Sequence, residues 1–357
     1  MVTTIETRTA NEAWCSACNT FLSGQFTKDQ PSRIGDTKEL LHATFHIENP
    51  LQRWVVSRMP AINPAFAIVE TFWVLSGRND SRFLEFWNRQ LSNYAGKCNS
   101  YHGAYGFRLR RNLNFDQVDQ AYCALKSNHE SRQVVLQIWD SRKDLPWKTG
   151  RPRSKDIPCN LLAMLKIREN RLEWTQVVRS NDLFLGVPHD FAQFMMFQEI
   201  FAGWLGIEVG SYFHLSDSLH VYEQDLNKLE LVSDIEEAPN TDSLGLSKRE
   251  SEQVIGELCD RIRLLSRKRC SKKQLIDIAD WQNSPEAYRN LLRIVAAESA
   301  RKRKWKTQAI TIANKCTNPA LRQLWSRWLQ RVDGKQSESS VLQQGHFTDE
   351  IPSYRGL

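Results

Sequence analysis

The sequence predicts an α+β protein: a layered domain of mixed sheet and helices over residues 29–235, then a small all-helical domain over 248–335. Three observations lead there. Between about residues 30 and 230, short strand-like runs mix with longer helical ones, without the regular spacing of βαβ units. The stretch "EEAPNTDSLGLS" (236–247) reads as a linker from its Pro, Asn, Asp, Ser and Gly content. Beyond it lie three amphipathic segments crowded with Arg and Lys: "KRESEQVIGELCDRIRLLSRK", "SPEAYRNLLRIVAAESARKRKWK" and "NPALRQLWSRWLQRV".

Taken in order, residues 1–28 are polar and read as an irregular N-terminal segment. "HATFHIENP" and "RQVVLQIWD" (132–140) read as strands, because apolar and β-branched residues alternate and end in turn residues. "NPAFAIVETFWVLSG" (63–77) has helical apolar spacing and a Gly stop. "LLAMLKIRENRLEWTQVVRS" (161–180) reads as a hairpin turning at "REN". "FAQFMMFQEIFAGWLG" (191–206) is apolar nearly all round, which predicts a buried helix. Residues 336–357 read as a disordered tail.

The chain's 357 residues suit two domains, and 41% hydrophobic residues with 12 Trp and 16 Phe can fill a sizeable core. No run approaches the ~20 apolar residues that a membrane-spanning helix needs, and the first residues lack a basic-then-apolar export signal, so a cytoplasmic protein without membrane partners is expected. The eight cysteines are scattered, which favours free thiols. Cys15 and Cys18 form a lone C-x-x-C with no second ligand pair, so no metal site is expected. Charge is uneven. From residue 237 onward, 22 Lys and Arg face 14 Asp and Glu, whereas the preceding residues carry 26 and 27. The overall net charge of +7 therefore belongs to the C-terminal third.

Candidate chemistry begins at Cys159 in "KDIPCNLL". A partly exposed Cys near cations loses its proton below the free value of ~8.5 and becomes a strong nucleophile. Arg33 in "SRIGD", Arg132 in "ESRQ" and Arg179 with Ser180 in "VRSND" all stand beside small polar residues. Guanidinium forks of this kind bind phosphate oxygens in pairs.

The ordered set "VETFWVLSGRND", "AYGFRLR", "SRQVVLQIWD", "IPCN", "VRSNDLFLGVPHDF" and "LHVYEQD" resembles the thymidylate synthase family, over some 200 residues from about 30 to 228. That family includes relatives that hydroxymethylate cytosine nucleotides. The resemblance implies a thymidylate synthase-like fold, a homodimer with shared active sites, and a one-carbon transferase that uses 5,10-methylenetetrahydrofolate. Cys159 matches the nucleophile that attacks C6 of the pyrimidine and makes C5 nucleophilic. Arg33, Arg132, Arg179 and Ser180 match the phosphate ligands, with Arg132 reaching across the dimer interface. His220 and Tyr222 match the sugar contacts, Glu70 the carboxylate that organises protons near the base, Tyr105 the tyrosine that assists proton removal at C5, and Asp182 the carboxylate that bonds the folate ring.

The chain departs from the family at several places. Arg132 is followed by Gln133 where a second Arg is usual, Cys159 by Asn160 where His is common, and Val178 and Ser218 replace Gln and Asp. The largest departure is Asp190 in "GVPHDF", where thymidylate synthases carry an Asn that donates to uracil O4 and accepts from N3–H. A carboxylate accepts from the cytosine amino group, and from N3–H when N3 is protonated, but cannot donate to uracil O4. Asp190 resembles the cytidylate hydroxymethylases, which trap the transferred carbon with water instead of reducing it. The expected substrate is therefore CMP or dCMP, with thymidylate synthesis from dUMP as the alternative. By itself Asp190 also reads as a helix cap. The basic runs "RKRKWK" (301–306) and "RKRCSKK" (267–273) raise a further alternative, nucleic-acid or partner binding by the C-terminal helices.

Overall fold

The computed structural model describes residues 3–230 and 235–342. The chain opens with β1 (Thr3–Thr7), α1 (Ala10–Leu22), β2 (Lys28–Pro31) and β3 (Asp36–Ile47). Helix α2 (Pro64–Leu75) and the short α3 (Arg82–Glu85), α4 (Leu91–Ala95) and α5 (Tyr105–Arg110) lead to α6 (Gln117–Ser127), β4 (Val135–Gln137) and α7 (Ser141–Asp144). Then come β5 (Asn160–Arg168), β6 (Arg171–Val178), β7 (Asn181–Asp182), α8 (Val187–Leu205), β8 (Glu208–Tyr222) and α9 (Glu223–Leu229). Five helices follow: α10 (Lys248–Leu265), α11 (Lys272–Ala279), α12 (Glu286–Lys302), α13 (Lys306–Asn314) and α14 (Pro319–Leu342).

The strands form one mixed sheet in the order β1-β3-β8-β6-β5-β4, with β2 added on β3 and β7 on β8. The β5–β6 hairpin turns at Glu169 and Asn170, both at positive φ, the pair of left-handed residues that a tight hairpin turn requires. Helix α8 lies on the sheet through Phe191 and Phe197, whose rings meet Phe45 and Trp174. It ends at Gly206, which adopts a left-handed φ of 72°.

Three regions differ from the sequence expectation. The N-terminal segment is ordered, not irregular. Thr9 caps α1 in a reciprocal box with Glu12, and Ala10, Ala13, Trp14, Ala17 and Phe21 form its buried stripe. Trp14 Nε1 donates to the Leu183 carbonyl at 2.7 Å, so α1 supports the loop before α8. Strand β4 is shorter than "RQVVLQIWD", which leaves Arg132 outside it. Of the expected tail, residues 336–342 fall within α14, and residues 343–357 lie outside the described residues.

The segment 236–247 is a linker in composition, yet it is pinned. Asn240 N donates to Gln52 Oε1 at 2.7 Å, and Leu244 N to Glu199 Oε1 at 2.8 Å. Glu199 also pairs with the buried Arg53. Helices α10, α12 and α14 pack on α2, with Tyr288 against Phe72 and its hydroxyl donating to the Leu244 carbonyl at 2.9 Å. Each large apolar side chain buried this way contributes roughly 1.5–3 kcal/mol, against a net stability of about 5–15 kcal/mol for a typical domain. Truncation near residue 236 is therefore expected to abolish cooperative unfolding and leave aggregated protein. A soluble, cooperatively melting fragment in calorimetry would contradict this.

Candidate active site

Cys159 is half-buried and immediately precedes β5. Arg179, just after β6, donates through Nε to the Pro158 carbonyl (3.0 Å) and through Nη2 to that of Ile157 (3.2 Å), with Nη2 at 3.9 Å from Cys159 Sγ. Arg33, in the exposed turn between β2 and β3, donates to the Lys155 carbonyl at 3.3 Å. Both arginines therefore hold the segment before β5 that leads to Cys159. The thiol differs from the expectation of a lowered pKa. Burial pushes it up, Arg179 opposes this, and Asp190 adds to it.

Asp190 does not cap α8. The cap position is Gly186, which has no capping side chain, and Asp190 lies within the first turn, its N–H donating to the Gly186 carbonyl at 3.0 Å. Its carboxylate accepts instead from two side-chain amides, Asn160 Nδ2 at 3.3 Å and Asn181 Nδ2 at 3.0 Å. Burial raises its pKa to about 7 against the pull of these two donors. Gly186 is required here, because a Cβ would lie 2.5 Å from Asn181 Oδ1.

Glu70, on α2, faces the same space. Burial first, then the charge of Asp190, raises it to about 8. Its nearest cationic candidate, His189 Nδ1, lies 3.7 Å away, but burial lowers that ring to about 4 and leaves it neutral. Glu70 thus holds a proton at neutral pH, as a general acid must. The folded state keeps a proton that the unfolded chain releases near 4.5, so stability falls as pH rises from about 4.5 to about 8. Glu70→Gln removes that penalty, and its Tm relative to wild type is expected to climb by several degrees between pH 5 and pH 8 in melting curves.

Tyr105, at the start of α5, stacks on Phe194 at 6.3 Å and interacts with the Asn160 side chain. Burial, then Cys159, raises its pKa well above the usual tyrosine value. Asp182 pairs with His220 between β7 and β8, and Tyr222 follows on the same face, with rings 5.4 Å apart. The Tyr222 hydroxyl interacts with Ser32, beside Arg33. Asp182 Oδ1 accepts from Phe184 N (2.8 Å) and Leu185 N (2.9 Å). Ser180 is half-buried next to Arg179. Arg132 is exposed ahead of β4, and among the described residues it has no hydrogen-bond or ion-pair partner. The fold thus brings the expected residues together except Arg132.

The family model described as Thymidylate synthase matches residues 28–265. The chain belongs to the thymidylate synthase family. Within it, the chain is 38% identical over 181 residues to "Deoxyuridylate hydroxymethyltransferase" of Pseudomonas phage M6, covering 50% of each chain. It is 34% identical over 199 residues to the protein of that name from Bacillus phage SP01, covering 53% of this chain and 51% of the relative. A "Putative thymidylate synthase" of Methanothermobacter marburgensis is 29% identical over 223 residues, 62% of this chain and 93% of the relative. The chain spans about half the length of the two phage relatives it matches.

Sequence reasoning missed four members of this site: Gln176, Asn181, His189 and His214. His214 lies on β8, but the alternation of buried positions shifts phase at Asp217 and Ser218, so its spacing from His220 and Tyr222 does not by itself place it in the site. Among the described residues no helix is long and apolar enough to cross a membrane. The basic runs are partly engaged within the chain: Arg301 pairs with Glu298, and Arg303 donates to the carbonyls of Ser299, Leu265 and Arg267.

Proposed function

We propose that this protein is a one-carbon transferase that hydroxymethylates C5 of a cytosine nucleoside monophosphate, dCMP or CMP. The observation that carries the choice of base is Asp190, a half-buried carboxyl held by two amide donors beside Cys159. When bound, 5,10-methylenetetrahydrofolate supplies a methylene group at the oxidation level of formaldehyde. Asp182 Oδ2 is the group suited to hold its ring.

The chain's own residues divide the remaining work. Arg179, Arg33 and Ser180 bind the nucleotide phosphate, while His220 and Tyr222 bind the sugar. Cys159 loses its proton as Sγ bonds to C6, and the electron pair displaced to C5 makes that carbon the nucleophile. Glu70, protonated at neutral pH, supplies or removes protons near the base. Tyr105 faces the C5 proton. One proton shared between Asp190 and cytosine N3 completes recognition, with the second carboxyl oxygen accepting from the amino group. Loss of the C5 proton would release tetrahydrofolate as the leaving group, water would then add to the transferred carbon as hydroxymethyl, and Cys159 would leave C6 as the ring double bond re-forms.

The names of the two phage relatives favour a second reading, hydroxymethylation of dUMP. Incubation with CMP, dCMP, UMP or dUMP and the folate, following tritium release from C5, separates the two. Preference for a uracil nucleotide overturns the cytosine reading. Stoichiometric dihydrofolate formation would instead mark reductive methylation.

We also infer a homodimer with shared sites, because Arg132 completes no phosphate site within its own chain. Mixing inactive Arg132→Ala and Cys159→Ala proteins is expected to restore up to about a quarter of wild-type activity. That is the statistical share of sites with both residues intact when subunits exchange freely. No recovery after verified exchange would place Arg132 outside the partner's site.

A further inference from the structure

Asp190 stands at the centre of a buried hydrogen-bond chain whose direction is chemically determined. On one side Trp174 Nε1 donates to Gln176 Oε1 (3.1 Å), Gln176 Nε2 to Asn160 Oδ1 (2.8 Å), and Asn160 Nδ2 to Asp190 Oδ1 (3.3 Å). An indole N–H can only donate, so neither amide in this arm can turn round without opposing two donors. On the other side Asn181 Nδ2 donates to Asp190 Oδ2 (3.0 Å) and also lies 2.9 Å from His214 Nε2. That nitrogen must therefore be unprotonated, with the ring proton on Nδ1, 3.0 Å from the Tyr212 hydroxyl. His214 is wholly buried and held neutral, with its pKa lowered by burial to about 3.

The two arms differ in one respect. The Trp174 arm ends in a group that cannot reverse. The Tyr212–His214 arm ends in two groups that can: the hydroxyl can donate to Nδ1 while Nε2 carries the proton, and Asn181 then presents its oxygen to residue 190.

We propose that this chain fixes the hydrogen-bond polarity of residue 190, with Trp174, Gln176 and Asn160 as a rigid donor arm and His214 as a reversible positioning residue. An amide at 190 must then direct its oxygen at Asn160 and its NH2 at Asn181, which His214 permits only by changing tautomer. The bearing on base choice rests on the reading that Asp190 faces the base.

The test uses the full chain labelled with 15N-histidine, with H214Q to assign the His214 signals. In wild type, Nε2 is expected in the unprotonated region and Nδ1 in the protonated region. In folded D190N the two are expected to exchange. If D190N does not fold, N181D asks the same question, because a carboxylate at 181 places an acceptor against Nε2. A protonated Nε2 in wild type, or unchanged tautomers in the folded variants, overturns the proposal. The ratio of dUMP to dCMP dissociation constants, measured by calorimetry on the same proteins, is expected to shift at least tenfold towards dUMP in D190N. Tautomer exchange with an unmoved ratio leaves the polarity lock standing and overturns only the assignment of Asp190 to the base.

Discussion

Cys159→Ala is expected to reduce C5 tritium release to below about one thousandth of wild type, as removal of a covalent nucleophile does, while nucleotide binding changes by no more than a few-fold. The loss should fall on the chemical step because Cys159 is held by backbone bonds and not by its sulfur. Its carbonyl accepts from Arg179 N at 2.9 Å, and Arg179 binds the carbonyls of Ile157 and Pro158, all of which survive removal of Sγ. The thiol is also kept neutral in the empty site, since burial raises its pKa and Asp190 adds to the effect. Among the described residues Arg179 is the cation that opposes them, so Arg179→Ala should lower both phosphate affinity and thiol reactivity. Calorimetric titration with dCMP alongside the tritium assay checks the first claim. Residual turnover within tenfold of wild type in Cys159→Ala would remove Cys159 from its role.

Asp190→Asn is expected to lower turnover of the cytosine nucleotide by about 10²–10⁴-fold, the range for leaving buried polar groups unpaired, and to raise turnover of dUMP or UMP. An amide donates to uracil O4 and accepts from N3–H, whereas the carboxyl meets cytosine by sharing one proton with N3. The same variant should change the pH profile. With its pKa raised to about 7, wild-type Asp190 loses the shared proton as pH rises through that value, so kcat/KM on the cytosine nucleotide falls on the alkaline side. Asp190→Asn should lose this limb, leaving the one set by Glu70 near 8. Unchanged base preference in a folded Asp190→Asn protein would overturn the reading of Asp190 as the base contact.

Much of the site was legible because its chemistry is written in local segments. "IPCN", "VRSND", "GVPHDF" and "LHVY" each place a functional side chain at the end of a strand or the start of a helix. Those local frames fix the side chain's direction. Strand β8 puts His220 and Tyr222 on one face, because alternate residues of a strand point the same way. The buried helix α8 was equally readable from its apolar run and its terminal Gly206. The N-terminal helix was readable in principle from Thr9 and Glu12, but its polar surroundings masked a stripe that acquires meaning only against the sheet.

By itself, the sequence determined the fold class and named a candidate nucleophile, Cys159, and a candidate base contact, Asp190, since each depends on residue identity at a recognisable spacing. Tertiary structure decided what those groups do in one another's presence. Whether Cys159 is acidic or held neutral depends on the balance of burial against Arg179, contributed by different strands. Asp190 was a cap by position and became a carboxyl clasped by Asn160 and Asn181, from two other strands. The linker-like segment at 236–247 became a pinned seam because Glu199 and Tyr288, distant in sequence, meet at Leu244. Long-range desolvation and hydrogen-bond direction depend on which elements pack together, and no local pattern of residues records that.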